Sequence, residues 1–234
     1  GTGAVGVAGE SPPPPPPPPP SSYSFVVSKN TGADVDGLGD DSPLYEGSDV
    51  ARPGQNQWPV SPSPDTGSVL MKFAPAALQS ARAASQSHTV VGTTSVVLEI
   101  YQVADLTALD PMVLNIYTAE AANDIATARW SEASTGVNWP TPGGVAAAAT
   151  PIGTITLQGA PGFKASTNLS ASIADSAWAA NGLILRPAAG STGCHNVALS
   201  EASDGLRQRL TITYTATSAG GGGSGAVTMK MAGN

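Results

Sequence analysis

Few residues in this chain are of kinds that make or break bonds. It holds one cysteine and two histidines. Cys194 and His195 are adjacent, and neighbours on an extended backbone point to opposite faces, so they do not form a thiolate and imidazole pair. His88 stands in a polar stretch, with no nucleophile and acid that spacing would assemble around it. A glycosidase needs two carboxylates facing each other across a cleft, and nothing in the spacing of Glu99, Glu120, Glu132 and Glu201 selects a pair. The reading is a protein that is not an enzyme, with no catalytic residue.

Binding chemistry is better represented. Asp34, Asp36 and Asp40, with Asp41 and Asp49 beyond them, alternate with glycines, and hard oxygen ligands in that arrangement suit Ca²⁺. The stretch GADVDGLGDD lacks the twelve-residue loop and closing Glu of an EF-hand, so a structural Ca²⁺ stands beside the alternative of a solvated loop. No other cofactor is indicated. Four tryptophans and Tyr45 are candidates for stacking on sugar rings. Trp139, beside Pro140 and Pro142, and Trp58, beside Pro59, read as the exposed ones, placed to bind a glycan or grip a polyproline arm. Trp130 and Trp178 read as core or lid. Asn168, in Asn168-Leu169-Ser170, opens the sole N-x-S/T sequon, an acceptor only in a chain that enters a secretory pathway.

The most distinctive element is a rod. Ser11 is followed by Pro12, Pro13, Pro14, Pro15, Pro16, Pro17, Pro18, Pro19 and Pro20, then Ser21 and Ser22. Nine prolines in polyproline II geometry span about 28 Å at ~3.1 Å each, with no backbone donor and every carbonyl available to water, sugar or a partner.

The elements that must carry these residues are short strands. Tyr23 to Ser28, Ser68 to Ala74, Thr93 to Val103, Met112 to Ala119, Gly153 to Leu157, Asn168 to Ile173, Gly182 to Arg186, Asn196 to Leu199 and Arg209 to Ala216 are apolar or alternating, with Gly, Pro and Asn turns between them. AALQSARAASQ reads as a short helix or a loop. The spacing predicts an all-β jelly roll or β-sandwich over 23–217, preceded by a Gly-rich and polyproline II arm over 1–22. A Gly-rich linker over 218–225 leads to a terminal strand over 226–234, in which Val227, Met229 and Met231 alternate with Thr228 and Lys230. That strand either folds back or adds to the edge of a neighbouring subunit.

Composition narrows the function. Of 234 residues, 10 are Lys or Arg and 17 Asp or Glu, a formal charge of −7, and the charged share is 12%. So few cations make no basic stripe for a phosphate backbone, and no run of about 18 apolar residues crosses a bilayer. Neither nucleic acid nor membrane insertion is expected. A single cysteine leaves no intrachain disulfide framework, so packing alone must stabilise the core, with Cys194 either a small buried hydrophobe in it or a thiol that pairs with another chain. A chain starting at Gly1 with no leader pattern reads as a processed product.

Two resemblances bear on these readings. SVLMKF, SVVLEIYQV, VLNIYTA, the pair Trp130 and Trp139 with Glu132, Gly182 to Leu185, Ser200 to Ala202 and the closing Arg209 to Tyr214 fall in the order seen in DNRLRE-type domains. Those are extracellular jelly-roll modules related to carbohydrate-binding modules, and the resemblance covers about Tyr23 to Ala216. The Ser11 to Ser22 block, with Ser61 to Pro64, is similar to hydroxyproline-rich glycoproteins of volvocine green algal walls and flagellar surface fibres (mastigonemes). That likeness implies hydroxylated, O-glycosylated prolines and serines in a sugar-coated rod. Together they imply an extracellular structural glycoprotein of a cell wall or cell-surface appendage, a homo- or hetero-polymer joined through its terminal arms and in contact with glycans. The alternative is a carbohydrate-binding module of a larger extracellular protein.

Overall fold

The computed structural model describes residues 13, 16–28, 41–51, 55–62, 66–105 and 111–218. Two antiparallel sheets face each other. The strands are β1 (Ser21–Val27), β2 (Asp41–Tyr45), β3 (Gln57–Val60), β4 (Gly67–Met71), β5 (His88–Asp105), β6 (Met112–Thr118), β7 (Glu132–Ser134), β8 (Val137–Asn138), β9 (Gly153–Leu157), β10 (Gly162–Ala165), β11 (Leu183–Pro187), β12 (His195–Ala198) and β13 (Arg209–Ser218). The first sheet runs β1-β13-β5-β12-β3 with β10 also on β5; the second runs β2-β4-β11-β6-β9. Successive strands mostly cross from one sheet to the other, and among the described residues only the β7-β8 hairpin pairs neighbours in sequence. The all-β sandwich expected from the strand spacing is the fold.

Alternation sets the core. On β5, Val96, Leu98 and Ile100 are fully buried between the sheets while Val97, Glu99 and Tyr101 face outward. The inward residues of β4, β6, β9 and β11, among them Val69, Leu114, Ile155 and Leu185, complete that core. Helix α1 (Pro75–Ser85) resolves the ambiguity of AALQSARAASQ. Pro75 supplies its start, and the buried residues Pro75, Gln79 and Ala83 recur every fourth position, the face a helix presents to a sheet. Gln79 Nε2 donates to Thr93 Oγ1 at 2.8 Å, fastening the helix to β5.

Five strands (β2, β3, β10 and the short β7 and β8) and helix α2 (Ser176–Asn181) had no reading in the sequence, because Pro43, Pro59 and runs of small residues mask their alternation. Asn168 to Ile173, expected as a strand, is not one. Leu169 is buried, Ser170–Ser172 forms a 3₁₀ turn, and the side chain of Asn168 replaces a ladder peptide. Its Nδ2 donates to Thr94 O at 3.1 Å and its Oδ1 accepts from Val96 N at 2.9 Å, so one amide continues the β10 edge along β5. Cys194 is partly exposed rather than a core hydrophobe. Gly182 ends α2 with φ 86°, and a Cβ there would stand 2.2 Å from Met71 O, so the backbone turn into β11 requires glycine.

Candidate functional site

A second, smaller core lies outside the sandwich. The outward residues Leu44, Leu70 and Ile184 of the second sheet are covered by residues 119–149, whose Ala119, Ala128, Ala133, Trp139 and Val145 are all buried. Trp139 is the pin: it is 4% exposed, and its Nε1 donates to Arg129 O at 2.8 Å. Trp58 is 7% exposed and packs edge-on to Tyr45 at 5.9 Å. Both tryptophans expected to be exposed are therefore buried, and neither offers a ring face to a sugar. Flanking prolines signalled loops, but Trp58 lies on edge strand β3, and the loop carrying Trp139 folds onto apolar sheet surface. Tyr45 is partly exposed. Trp178, read as core, is fully buried, whereas Trp130 is only partly so.

Where the covering loop stops, the second sheet shows a polar rim. Asn115 and Tyr117 on β6 and Arg186 on β11 share the outward phase of their strands, and Asn115 Nδ2 donates to Tyr117 Oη at 3.0 Å. Arg186 Nη2 donates to Gly143 O at 2.9 Å, and its guanidinium carbon lies 5.1 Å from the Trp130 ring centre. A Cβ on Gly143 would meet that Nη2 at 2.2 Å, so the close approach depends on glycine. Burial pushes the Arg186 pKa down, partly offset by Tyr117, Glu46 and Glu120. Its Nε is buried with no partner among the described residues. Tyr117, Arg186, Thr66 and the 187–191 turn line a cleft of about 550 Å³. Since the Tyr117 hydroxyl already accepts, its proton is a donor there, and with Arg186 the cleft favours a ligand rich in acceptors.

A different surface occupies the end of the sandwich under α1. Tyr23 on β1 pairs directly with Tyr214 on β13, their ring centres 5.7 Å apart, and His88 at the start of β5 stacks on Tyr23 at 3.9 Å. His88 Nδ1 and Tyr214 Oη share a hydrogen bond of 3.1 Å. Burial pushes the Tyr214 phenol pKa up, so it keeps its proton. These rings, with Phe25, Arg82 and Gln86, line a groove of about 460 Å³.

The acidic residues divide. Asp34, Asp36 and Asp40 lie outside the described residues, as do Ser11, Pro12, Pro14, Pro15, the linker beyond Ser218, which itself ends β13, and the terminal strand. Asp41 is a buried staple between the sheets: it accepts from Ser200 N at 2.8 Å, Ser200 Oγ at 3.1 Å and Gln208 Nε2 at 2.5 Å. Asp49 accepts from Ser131 N at 2.9 Å and from Ser131 Oγ, tying the covering loop to the turn after β2. Among the described residues no three His, Cys, Asp or Glu side chains gather as a metal site. Asn168 is an exposed residue, but its amide is engaged in the β5 clamp.

No family model matches this chain, and no curated protein matches it. The site residues that sequence reasoning missed are Tyr117, Arg186, Tyr23, Tyr214 and Arg82. The outward phase of Asn115 and Tyr117 was a signal for the first pair. Nothing local marked Tyr23 and Tyr214, which share the inward phase of their strands; Tyr23 stays partly exposed, whereas Tyr214 is buried behind it.

Proposed function

We propose that this chain is a non-enzymatic, secreted structural glycoprotein, a subunit of an extracellular matrix, cell wall or surface filament. The observation supporting the reading is how the proline run is mounted. Pro16 to Pro20 are exposed, and the next residue, Ser21, opens a strand paired with β13 from Ser21↔Ala216 to Val27↔Leu210. A stiff rod whose base is a sheet strand keeps a fixed direction relative to the domain, which is what a building element needs. Ser11, the prolines, Ser21 and Ser22 are the positions for O-linked sugars in this reading, and the terminal strand beyond the glycine linker is a second means of joining subunits. Among the described residues no helix is long and apolar enough to cross a membrane.

The test is intact-mass and glycopeptide mapping of the native protein together with electron microscopy of the same material. Pentose or hexose ladders on Pro12 to Pro20 in particles that form fibres are expected. Bare prolines on a monodisperse monomer would overturn the reading. A second reading, a carbohydrate-binding module, is favoured by the donor-rich cleft at Tyr117 and Arg186, and there a saturable sugar affinity lost in Arg186→Ala is the distinguishing result.

A further inference from the structure

The groove at the end of the sandwich has the chemistry of a polyproline receptor. Polyproline helices are bound by aromatic-lined grooves, where rings pack against flat pyrrolidine faces and side-chain donors reach backbone carbonyls. Tyr23 and His88, stacked at 3.9 Å, are the partly exposed rings, and the buried Tyr214 and Phe25, edge-on at 6.1 Å, form the floor behind them. At the rim stand three donor groups: the Tyr23 hydroxyl, the Arg82 guanidinium and the Gln86 amide. Among the described residues none of the three side-chain groups makes a hydrogen bond. The matching ligand offers apolar rings and acceptors but no N–H, and a run of prolines is that ligand.

We infer that this groove receives the proline run Pro12 to Pro20 of a second copy of the chain. Pro13 and Pro16 to Pro20, the described prolines of the chain's own run, do not line it. Ser21 and Ser22 are both held in register against Ala216 and Thr215, so the rod leaves along the direction of β1, away from Tyr23. Bringing it back over Tyr23 needs a reversal at Pro20, and proline's fixed φ with the paired serines leaves no residue to make it. Pro16 to Pro20 are accordingly exposed, not docked. Groove and rod sit on the same strand and point different ways, so each copy offers one of each, and the contact is head-to-tail and does not close on itself. The inference rests on the structural reading above and names the contact that reading needs.

The experiment titrates the full chain, at a concentration where it sediments as a monomer, with a synthetic peptide of residues 11–22, read by calorimetry. Saturable binding is expected. Tyr23→Ala and Arg82→Ala each weaken it about tenfold, the equivalent of ~1.4 kcal/mol. Tyr23→Phe, which keeps the ring and loses one donor, weakens it less, and Val137→Ala, on the exposed β8, leaves it unchanged. A peptide with alternate prolines replaced by glycine fails to bind. Melting curves for each variant separate lost binding from lost folding, and Arg82 on the helix surface serves if Tyr23→Ala unfolds. No saturable binding up to about 1 mM, or binding indifferent to both Tyr23→Ala and Arg82→Ala, overturns the inference. Sedimentation of the concentrated full chain separates the two claims. Assembly without peptide binding overturns the groove and keeps the structural reading; peptide binding in a chain whose native form never assembles keeps the groove and overturns that reading.

Discussion

The covered face of the second sheet and the open end beneath α1 are both rich in aromatic residues, yet they do opposite work. Over the covered face, Trp139 is enclosed by the loop that carries it, and its one polar atom is satisfied by Arg129 O. At the open end, Tyr23 and His88 stack on each other and stay partly exposed, with donors left at the rim. Residue type does not separate the two. What separates them, among the described residues, is whether a segment folds back over the surface. Residues 119–149 cover one; helix α1, three turns long, covers only part of the other.

The comparison is broken most directly by truncating the enclosed ring. Trp139→Ala should destabilise the protein by about 3 to 5 kcal/mol, because it empties the centre of the second core and leaves Arg129 O unpaired. Urea denaturation checks it, and a loss below ~1 kcal/mol would mean the loop does not depend on this pin. Next comes the clamp on the β5 edge. Asn168→Ala should cost about 1 to 3 kcal/mol by leaving Val96 N–H and Thr94 C=O without partners, and hydrogen exchange at Val96 should rise with it.

At the open end the effect on stability is smaller. Tyr23→Ala should cost only about 1 kcal/mol, the scale of one ring pair, while abolishing most of the peptide affinity. A loss of stability matching Trp139→Ala would make this end a core and not a groove. The smallest effect concerns acid. Burial would raise the Asp49 pKa, but its hydrogen bonds from Ser131 and the Arg129 charge outweigh that and hold it low; the Arg129 hydrogen bond holds Glu132 low as well. Carboxyls depressed in the folded state leave the unfolded state binding more protons. Their contribution is present above the ordinary carboxylate pKa and is lost as pH falls through the depressed folded value. The loop should therefore loosen on the acid side of the carboxylate range, and Asp49→Asn should flatten that limb of the pH and stability curve.

Legibility in the sequence followed the length of unbroken alternation. β5, β6, β9 and β13 were evident because Val, Ile and Leu recur at every second position without a proline. β2 and β3 were not, since Pro43 and Pro59 sit inside them; both are edge strands, where a missing N–H costs no ladder bond. The tryptophans misled for a related reason. A proline beside Trp139 marks an irregular backbone and one beside Trp58 an edge strand, and neither implies exposure. Asn168 shows the limit most clearly: a side chain standing in for a peptide leaves no pattern at all.

By itself the sequence determined the all-β class, the inward faces of the long strands, the stiffness of the proline run and the scarcity of charge. These follow from steric preferences and period-two alternation, which act within a few residues. Only the tertiary structure decided which rings are enclosed and which are open, that Asp41 and Asp49 are staples between distant segments, and that Arg186 meets Tyr117. Those outcomes depend on which segments come to lie over which surfaces, and pairing between residues far apart in the chain, such as Asp41 with Ser200, is written in no local stretch.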